Sequence, residues 1–261
     1  MRLSFRLAAV SLLTWTWTGA AQTSLTSGGT LRAVYLSSNP AHAVKDPATG
    51  EIRGAAVDLA RELARRLKVE PVLTGVQSPQ AAIDAVQNGK ADIGFVAYNP
   101  ERAGPVEFSR PYMLVQQTFL VRQDSAIRSV KDIDRPNQSI GAGRGDSIAL
   151  YLGRTLKQAR LIEVTEASPG EAIQTLLAGK LDAWGANRQR LTDAMRNLSG
   201  VRLLPDDLYG VEQTIIVAKG NPEGLKAVNQ FIDDVRRSGF LRAAIERSGV
   251  IGIAVAPPDS K

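Results

Sequence analysis

A pattern that recurs once, ninety residues apart, constrains this chain more than any other feature. Ala82-Ile83, Val86 and Gly89-Lys90-Ala91-Asp92 return as Ala172-Ile173, Leu176 and Gly179-Lys180-Leu181-Asp182. In both copies apolar residues at helical spacing run into a glycine that ends the helix, and an Asp then opens an apolar run of strand length. Ninety residues is too long for a solenoid period, so the echo points to two similar α/β lobes.

The rest of the chain alternates in the same way, as an α/β protein does. Strands are predicted at 31–36, 69–73, 92–96, 117–122, 139–142, 161–165 and 182–185, and helices at 55–67, 80–88 and 147–156. Ser168-Pro169-Gly170-Glu171 predicts a further helix start with a capping box, ended by Gly179. Asn221-Pro222 opens another helix, closed by Gly239. The second copy of the echo lies mid-chain, with more structure after it, so the chain crosses between the lobes twice. The candidate crossings are 116–120 and 213–217, both extended and β-branched or polar.

Composition narrows the chemistry. The 261 residues include no Cys and a single His, His42. Thiol catalysis, thiolate metal sites and a lipidated Cys are thereby excluded, and neither a histidine-built metal site nor a Ser-His-Asp triad is expected. No cofactor is called for: Gly141, Gly143 and Gly145 have the wrong spacing for a dinucleotide fingerprint. Arg144-Gly145-Asp146 spells a cell-adhesion tripeptide by accident. The formal charge of +6 is spread without basic runs, so nucleic acid is not an expected partner. Residues 1–21 combine Arg2 and Arg6, an apolar stretch from Leu7 to Leu13 and a Gly19-Ala20-Ala21 end, the order of a cleavable secretory signal peptide. Thr14, Thr16 and Thr18 interrupt the run too early for a membrane anchor. Residues 22–30 are expected to form a flexible leader.

With export, two lobes and the echo in place, the chain resembles the family 3 extracellular solute-binding proteins, periplasmic receptors of polar amino-acid ABC importers. The resemblance is carried by Gly54-Ala55-Ala56-Val57-Asp58-Leu59-Ala60, Gly89-Lys90-Ala91-Asp92-Ile93, Pro100-Glu101-Arg102, Phe108-Ser109-Arg110-Pro111-Tyr112, Ile140-Gly141-Ala142-Gly143-Arg144-Gly145 and Gly179-Lys180-Leu181-Asp182-Ala183, in family order. It implies a two-lobe periplasmic-binding-protein fold of type II, with lobes joined by two hinge strands and a ligand held in the cleft between them. On that reading 31–115 and 214–261 form a discontinuous first lobe and 116–213 the second. A monomeric receptor serving a separate membrane permease is expected, with a small carboxylate-bearing solute as ligand.

The resemblance also implies which residues bind. Arg102 stands where the family pairs an Arg with the ligand's carboxylate, a task suited to a planar guanidinium fork. Gly145-Asp146-Ser147 opens a helix where the family places an anion-binding Gly-Thr-Thr, with Asp146 the departure. Asn187 replaces the Asp that neutralises the ligand's ammonium, and Arg188 and Arg190 flank it. Ala55 and Asn39 replace family aromatics, and Ala97, Tyr98 and Asn99 fill a loop that normally supplies hydroxyls. Tyr98, Asn39 and Asn99 are therefore candidate ligand contacts, and Phe95 and Trp184 line either the cleft or the core. From the neutral Asn187, the ligand's ammonium is expected to be dispensable unless Asp146 swings in to replace the missing acid.

A periplasmic enzyme on the same fold, acting like a cyclohexadienyl dehydratase, is the alternative. It would need a general acid in the cleft, for which Glu163, Glu166, Glu171 and Asp146 are the second-lobe carboxylates available. A sensor input domain is disfavoured, since no apolar span follows the second lobe in this sequence. Export has a direct check. Intact-mass measurement on a periplasmic fraction is expected to give a mature chain starting within a few residues of Gln22, and recovery of the full-length chain in the cytoplasm would refute it.

Overall fold

The computed structural model describes residues 25–258, apart from 27, 38, 47, 166–168 and 197–198. The expected signal peptide, part of the leader, Ser168 of the predicted capping box and Glu166 lie outside the described residues.

Each lobe is built on three parallel strands in the same order. In the first, β1 (Thr30–Leu36) lies between β4 (Glu70–Val76) and β5 (Ile93–Ala97), after the short hairpin of β2 (Val44–Lys45) and β3 (Ile52–Arg53). In the second, β8 (Ser139–Gly143) lies between β9 (Arg160–Val164) and β10 (Ala183–Asn187). Helices α1 (Ala55–Leu67) and α2 (Pro79–Gln87) connect the first set, and α3 (Ser147–Thr155) and α4 (Pro169–Leu177) the second. Beyond them come α5 (Arg188–Met195), α6 (Pro222–Arg237) and α7 (Phe240–Ser248).

The echo has one physical cause in both lobes. Gly89 and Gly179 turn the chain out of α2 and α4 with φ of +66° and +69°, a conformation that favours glycine. The amide of Lys90 then donates to Ala85 O at 2.8 Å, and that of Lys180 to Thr175 O at 3.1 Å. Asp92 and Asp182 follow, and each ties its strand to the central one: Arg32 N donates to Asp92 Oδ2 at 2.7 Å, Ser139 N to Asp182 Oδ2 at 2.8 Å. Arg32 adds a side-chain ion pair to Asp92 at 2.6 Å.

The lobes are joined by two long antiparallel strands, β7 (Met113–Arg122) and β12 (Tyr209–Ala218). They pair with each other from Met113 to Gln117 against Tyr209 to Gln213. Past that crossing, β12 runs along β5 and β6 (Val106–Phe108), while β7 runs along β10 and β11 (Val201–Leu203). A final strand, β13 (Ile253–Val255), returns to pair with β7 at Met113–Val115. The crossings therefore lie at the start of each strand. For β12 that is upstream of the predicted 213–217, a segment already paired within the first lobe. Tyr209 packs against the apolar cores on both sides.

Two expectations need correction. Leu25, assigned to the flexible leader, is only 2% exposed and packs into the first lobe's core, and Thr30 already opens β1. The apolar side chain of Leu25 gains by leaving water, which anchors this end. Helices α5 and α7 and the short strands β2, β3, β6, β11 and β13 were not foreseen.

The lone histidine is structural. His42 is fully buried; its Nδ1 accepts from Leu36 N at 3.4 Å and its Nε2 lies 2.8 Å from Gln213 Oε1 on β12. The amide oxygen takes the Nε2 proton and Nδ1, as an acceptor, carries none, so the ring is neutral. Burial pushes its pKa down to about 4, against the opposing effect of the Gln213 hydrogen bond. An unfolded histidine titrates near 6.5, so between about pH 6.5 and 4 only the unfolded chain takes up this proton. Stability should thus fall with pH over that window, by about 3 kcal/mol from this group. Urea unfolding of wild type and His42→Gln at pH 7 and pH 4 is expected to show the steeper loss in wild type; equal losses would contradict the assignment.

Candidate functional site

A cavity of about 470 Å³ opens where the carboxyl ends of the two parallel sets meet β12. From the first lobe come Ala97, Tyr98, Asn99 and the turn Pro100–Arg102; from the second, Gly145, Ser147, Leu150, Tyr151 and Arg154; from β12, Tyr209 to Glu212. Its volume suits a metabolite-sized ligand.

The turn that presents Arg102 is built locally. Asn99 caps it, with Oδ1 accepting from Glu101 N at 3.0 Å, and Pro100 supplies the first turn's fixed φ. Arg102 N then donates to Asn99 O at 3.0 Å. The Arg102 guanidinium, half-buried, has no ion pair or hydrogen bond among the described residues. Opposite stands the N-terminus of α3. Gly145 enters it with φ of +78°, and the N-cap, Asp146, makes no side-chain capping bond. First-turn amides without a cap carry the positive end of the helix dipole. Tyr151 of α3 stacks on Tyr209 at 4.3 Å between ring centres. Burial, with smaller effects from Tyr151 and Asp146, raises the Tyr209 hydroxyl pKa well above its ordinary value. At the rim, Arg154 reaches Glu101 across the lobes at 3.5 Å, an exposed pair of little energetic weight.

Of the candidate residues, the structure brings Arg102, Tyr98, Asn99, Gly145 and Ser147 together on this cavity. Three others do different work. Asn187 ends β10 and caps α5, its Oδ1 accepting from Arg190 N at 2.9 Å, so its side chain is committed to the helix start. Asp146 faces Arg190 at 3.3 Å in an exposed pair and is not part of the cavity lining. Asn39 folds its own loop, with Oδ1 accepting from Ala41 N at 3.1 Å and its carbonyl from His42 and Ala43. Phe95 and Trp184 are buried in the two cores, and Ala55 is fully buried at the start of α1. Arg188 is held by Asp207 at 2.6 Å and by the Asp206 carbonyl. Among the described residues no cluster of His, Cys, Asp or Glu is placed to hold a metal, and no helix is long and apolar enough to cross a membrane. Sequence reasoning missed Tyr151 and Arg154 of α3 and, on β12, Tyr209 and Glu212.

Residues 31–248 match the bacterial extracellular solute-binding proteins, family 3. The chain belongs to that family. A glutamine-binding protein of Geobacillus stearothermophilus is 30% identical over 161 residues, 56% of this chain and 59% of that protein's length. Among solved structures, an ancestral cationic amino acid solute-binding protein is 28% identical with a TM-score of 0.62, over 84% of this chain and 95% of that one. An ancestral cyclohexadienyl dehydratase is 26% identical with a TM-score of 0.53, over 84% of this chain and 92% of that one.

The reassignment of Asn187 can be tested. Asn187→Ala is expected to lower stability by about 1 kcal/mol, as loss of a helix cap does, and to leave ligand affinity within twofold. A tenfold loss of affinity in a folded variant would return Asn187 to the binding site.

Proposed function

We propose that the protein captures a small carboxylate-bearing solute, an amino acid or a related organic acid, in the cleft between its lobes and delivers it to the membrane permease of an ABC importer. The observation that carries the reading is Arg102: an unpaired guanidinium on a pre-built turn, sharing a cavity with the uncapped N-terminus of α3. Guanidinium and helix amides are both anion donors, and they come from different lobes, so a carboxylate gripped by both would favour closure. The glutamine-binding relative and the cationic amino acid binder favour a solute of this class. The protein would act outside the cytoplasm as a monomer, after removal of residues 1–21.

The dehydratase neighbour keeps an enzyme reading in view, and that chemistry requires a general acid in the cleft. Glu163 and Asp146 face Arg144 and Arg190 and, like Glu171, are absent from the cavity lining, whereas Glu101 and Glu212 belong to it. What favours a receptor over an enzyme is that the similar curated proteins are named as binding proteins.

The test is calorimetric. A thermal-shift screen of amino acids, hydroxy acids and amides identifies a ligand by its effect on Tm. Arg102→Ala should then lose about 2–5 kcal/mol of binding with the fold intact, and Arg102→Lys should recover little, because a point charge cannot replace the fork. Near-normal affinity in Arg102→Ala would overturn the proposal.

A further inference from the structure

Two cavities meet at one carboxylate. The cleft cavity of about 470 Å³ and a neighbouring one of about 890 Å³ share two lining residues, Tyr98 and Glu212. The larger is bounded by Phe108, Arg110, Asp233 and Arg236, among others, on the first-lobe side. Glu212 is fixed there by backbone pairing. Its carbonyl accepts from Tyr98 N at 2.9 Å, and Gln213 beside it pairs with Ala97 of β5. Side chains alternate along β12: Val211 and Gln213 turn into the first lobe, where Gln213 meets His42, and Glu212 takes the other face.

The charged side chains lining the two cavities, in which arginines outnumber carboxylates, are all engaged in ion pairs, with two exceptions. Arg154 pairs with Glu101, Arg110 and Arg236 both pair with Asp233, and Arg237 pairs with Asp234. Arg102 and Glu212 remain. Neither side chain has an ion pair or hydrogen bond among the described residues, and both line the same cavity. Glu212 is half-buried, and burial raises its pKa. A half-buried charge without a partner bears part of the cost of desolvation, and a ligand of opposite charge offsets it. In the second lobe, Asn187 is neutral and caps α5, and Asp146 faces Arg190 in an exposed pair outside the cavity lining.

We propose that Glu212 is the cation subsite of the cleft, receiving the ammonium or guanidinium nitrogen of a small solute whose carboxylate is held at Arg102. The proposal rests on the carboxylate reading above and deepens it. It moves the negative half of the site from the end of β10 to the hinge strand β12. It also reverses the expectation that the ligand's positive charge is dispensable. With opposite charges on β12 and on the turn after β5, the cavity is complementary to an amino acid or guanidino acid and less so to a simple carboxylic acid. The adjoining cavity beyond Glu212 gives a longer side chain room to extend.

Four probes separate the possibilities: arginine, citrulline, 5-guanidinopentanoate and 2-hydroxypentanoate. Arginine carries both cations, citrulline only the α-ammonium, guanidinopentanoate only the guanidinium, and hydroxypentanoate neither. Each is titrated by calorimetry into wild type, Glu212→Gln and Arg102→Ala, with melting curves confirming that the variants fold. Wild type should bind at least one cationic probe tenfold or more tighter than 2-hydroxypentanoate. Glu212→Gln should abolish that preference without weakening 2-hydroxypentanoate. If citrulline keeps the preference, the nitrogen at Glu212 is the ammonium; if only the guanidino probes keep it, the guanidinium. Unchanged preference in Glu212→Gln, or no preference in wild type, overturns the cation subsite. Either result leaves the carboxylate reading standing if Arg102→Ala still loses the probes that bind, and only their retention in Arg102→Ala defeats that reading.

Discussion

Five residue pairs hold the two halves of this molecule in register. Where Met113–Gln117 of β7 runs antiparallel to Tyr209–Gln213 of β12, the chain passes from one lobe to the other in both directions. A single crossing strand would leave the lobes free to twist. Two, hydrogen-bonded to each other, restrict the motion to a bend about the crossing, the hinge geometry of cleft-closing proteins. β13 pairs with the same stretch of β7, so the C-terminal strand also braces the hinge. At Gly210 any Cβ would lie 2.8 Å from that of Leu114, so the crossing tolerates no side chain there.

The site inherits its geometry from this crossing. Arg102 stands on a turn that leaves β5, the strand β12 pairs with, and α3 follows β8, the neighbour of β10 and hence one strand removed from β7. Glu212 is part of the crossing itself. A ligand touching all three would contact both lobes and the joint between them, and its binding energy would act on the hinge equilibrium directly. Tyr209, stacked on Tyr151 and packed against both cores, carries side-chain contact through the same point.

Much of this was legible beforehand where one signal dominates. Helix α1 falls within its predicted bounds because eight of its thirteen residues bury one face. The Gly-Lys-x-Asp echo announced two lobes because its residues do the same job twice, an αL exit and a carboxylate tie between strands. That Arg102 would stand on the cleft cavity was legible from the Pro-Glu-Arg motif. What was hidden depends on partners distant in sequence. Strands of two or three residues such as β6 and β11 exist only because β12 and β7 lie beside them. Helix α5 buries little besides Leu191 and so lacks an apolar stripe; its clearest signal, Asn187 as a cap, reads equally well as a ligand contact. Glu212 was missed because acids were sought in the second lobe, whereas its unpaired state follows from which neighbouring arginines are already taken.

The order of the chain imposes an order on assembly. β8, β9 and β10 and the helices between them are contiguous, so the second lobe's three parallel strands can pair as soon as that stretch is available. The first lobe cannot finish so early, because β5 must wait for β12, and α6 and α7 come later still. Until then one edge of β5 offers unpaired amides and carbonyls to any passing strand. Such long-range closure is slow and leaves a sticky intermediate. A first lobe left half-finished beside the second would expose that edge, so changes near the C-terminus are expected to harm yield more than their place at the edge of the fold suggests.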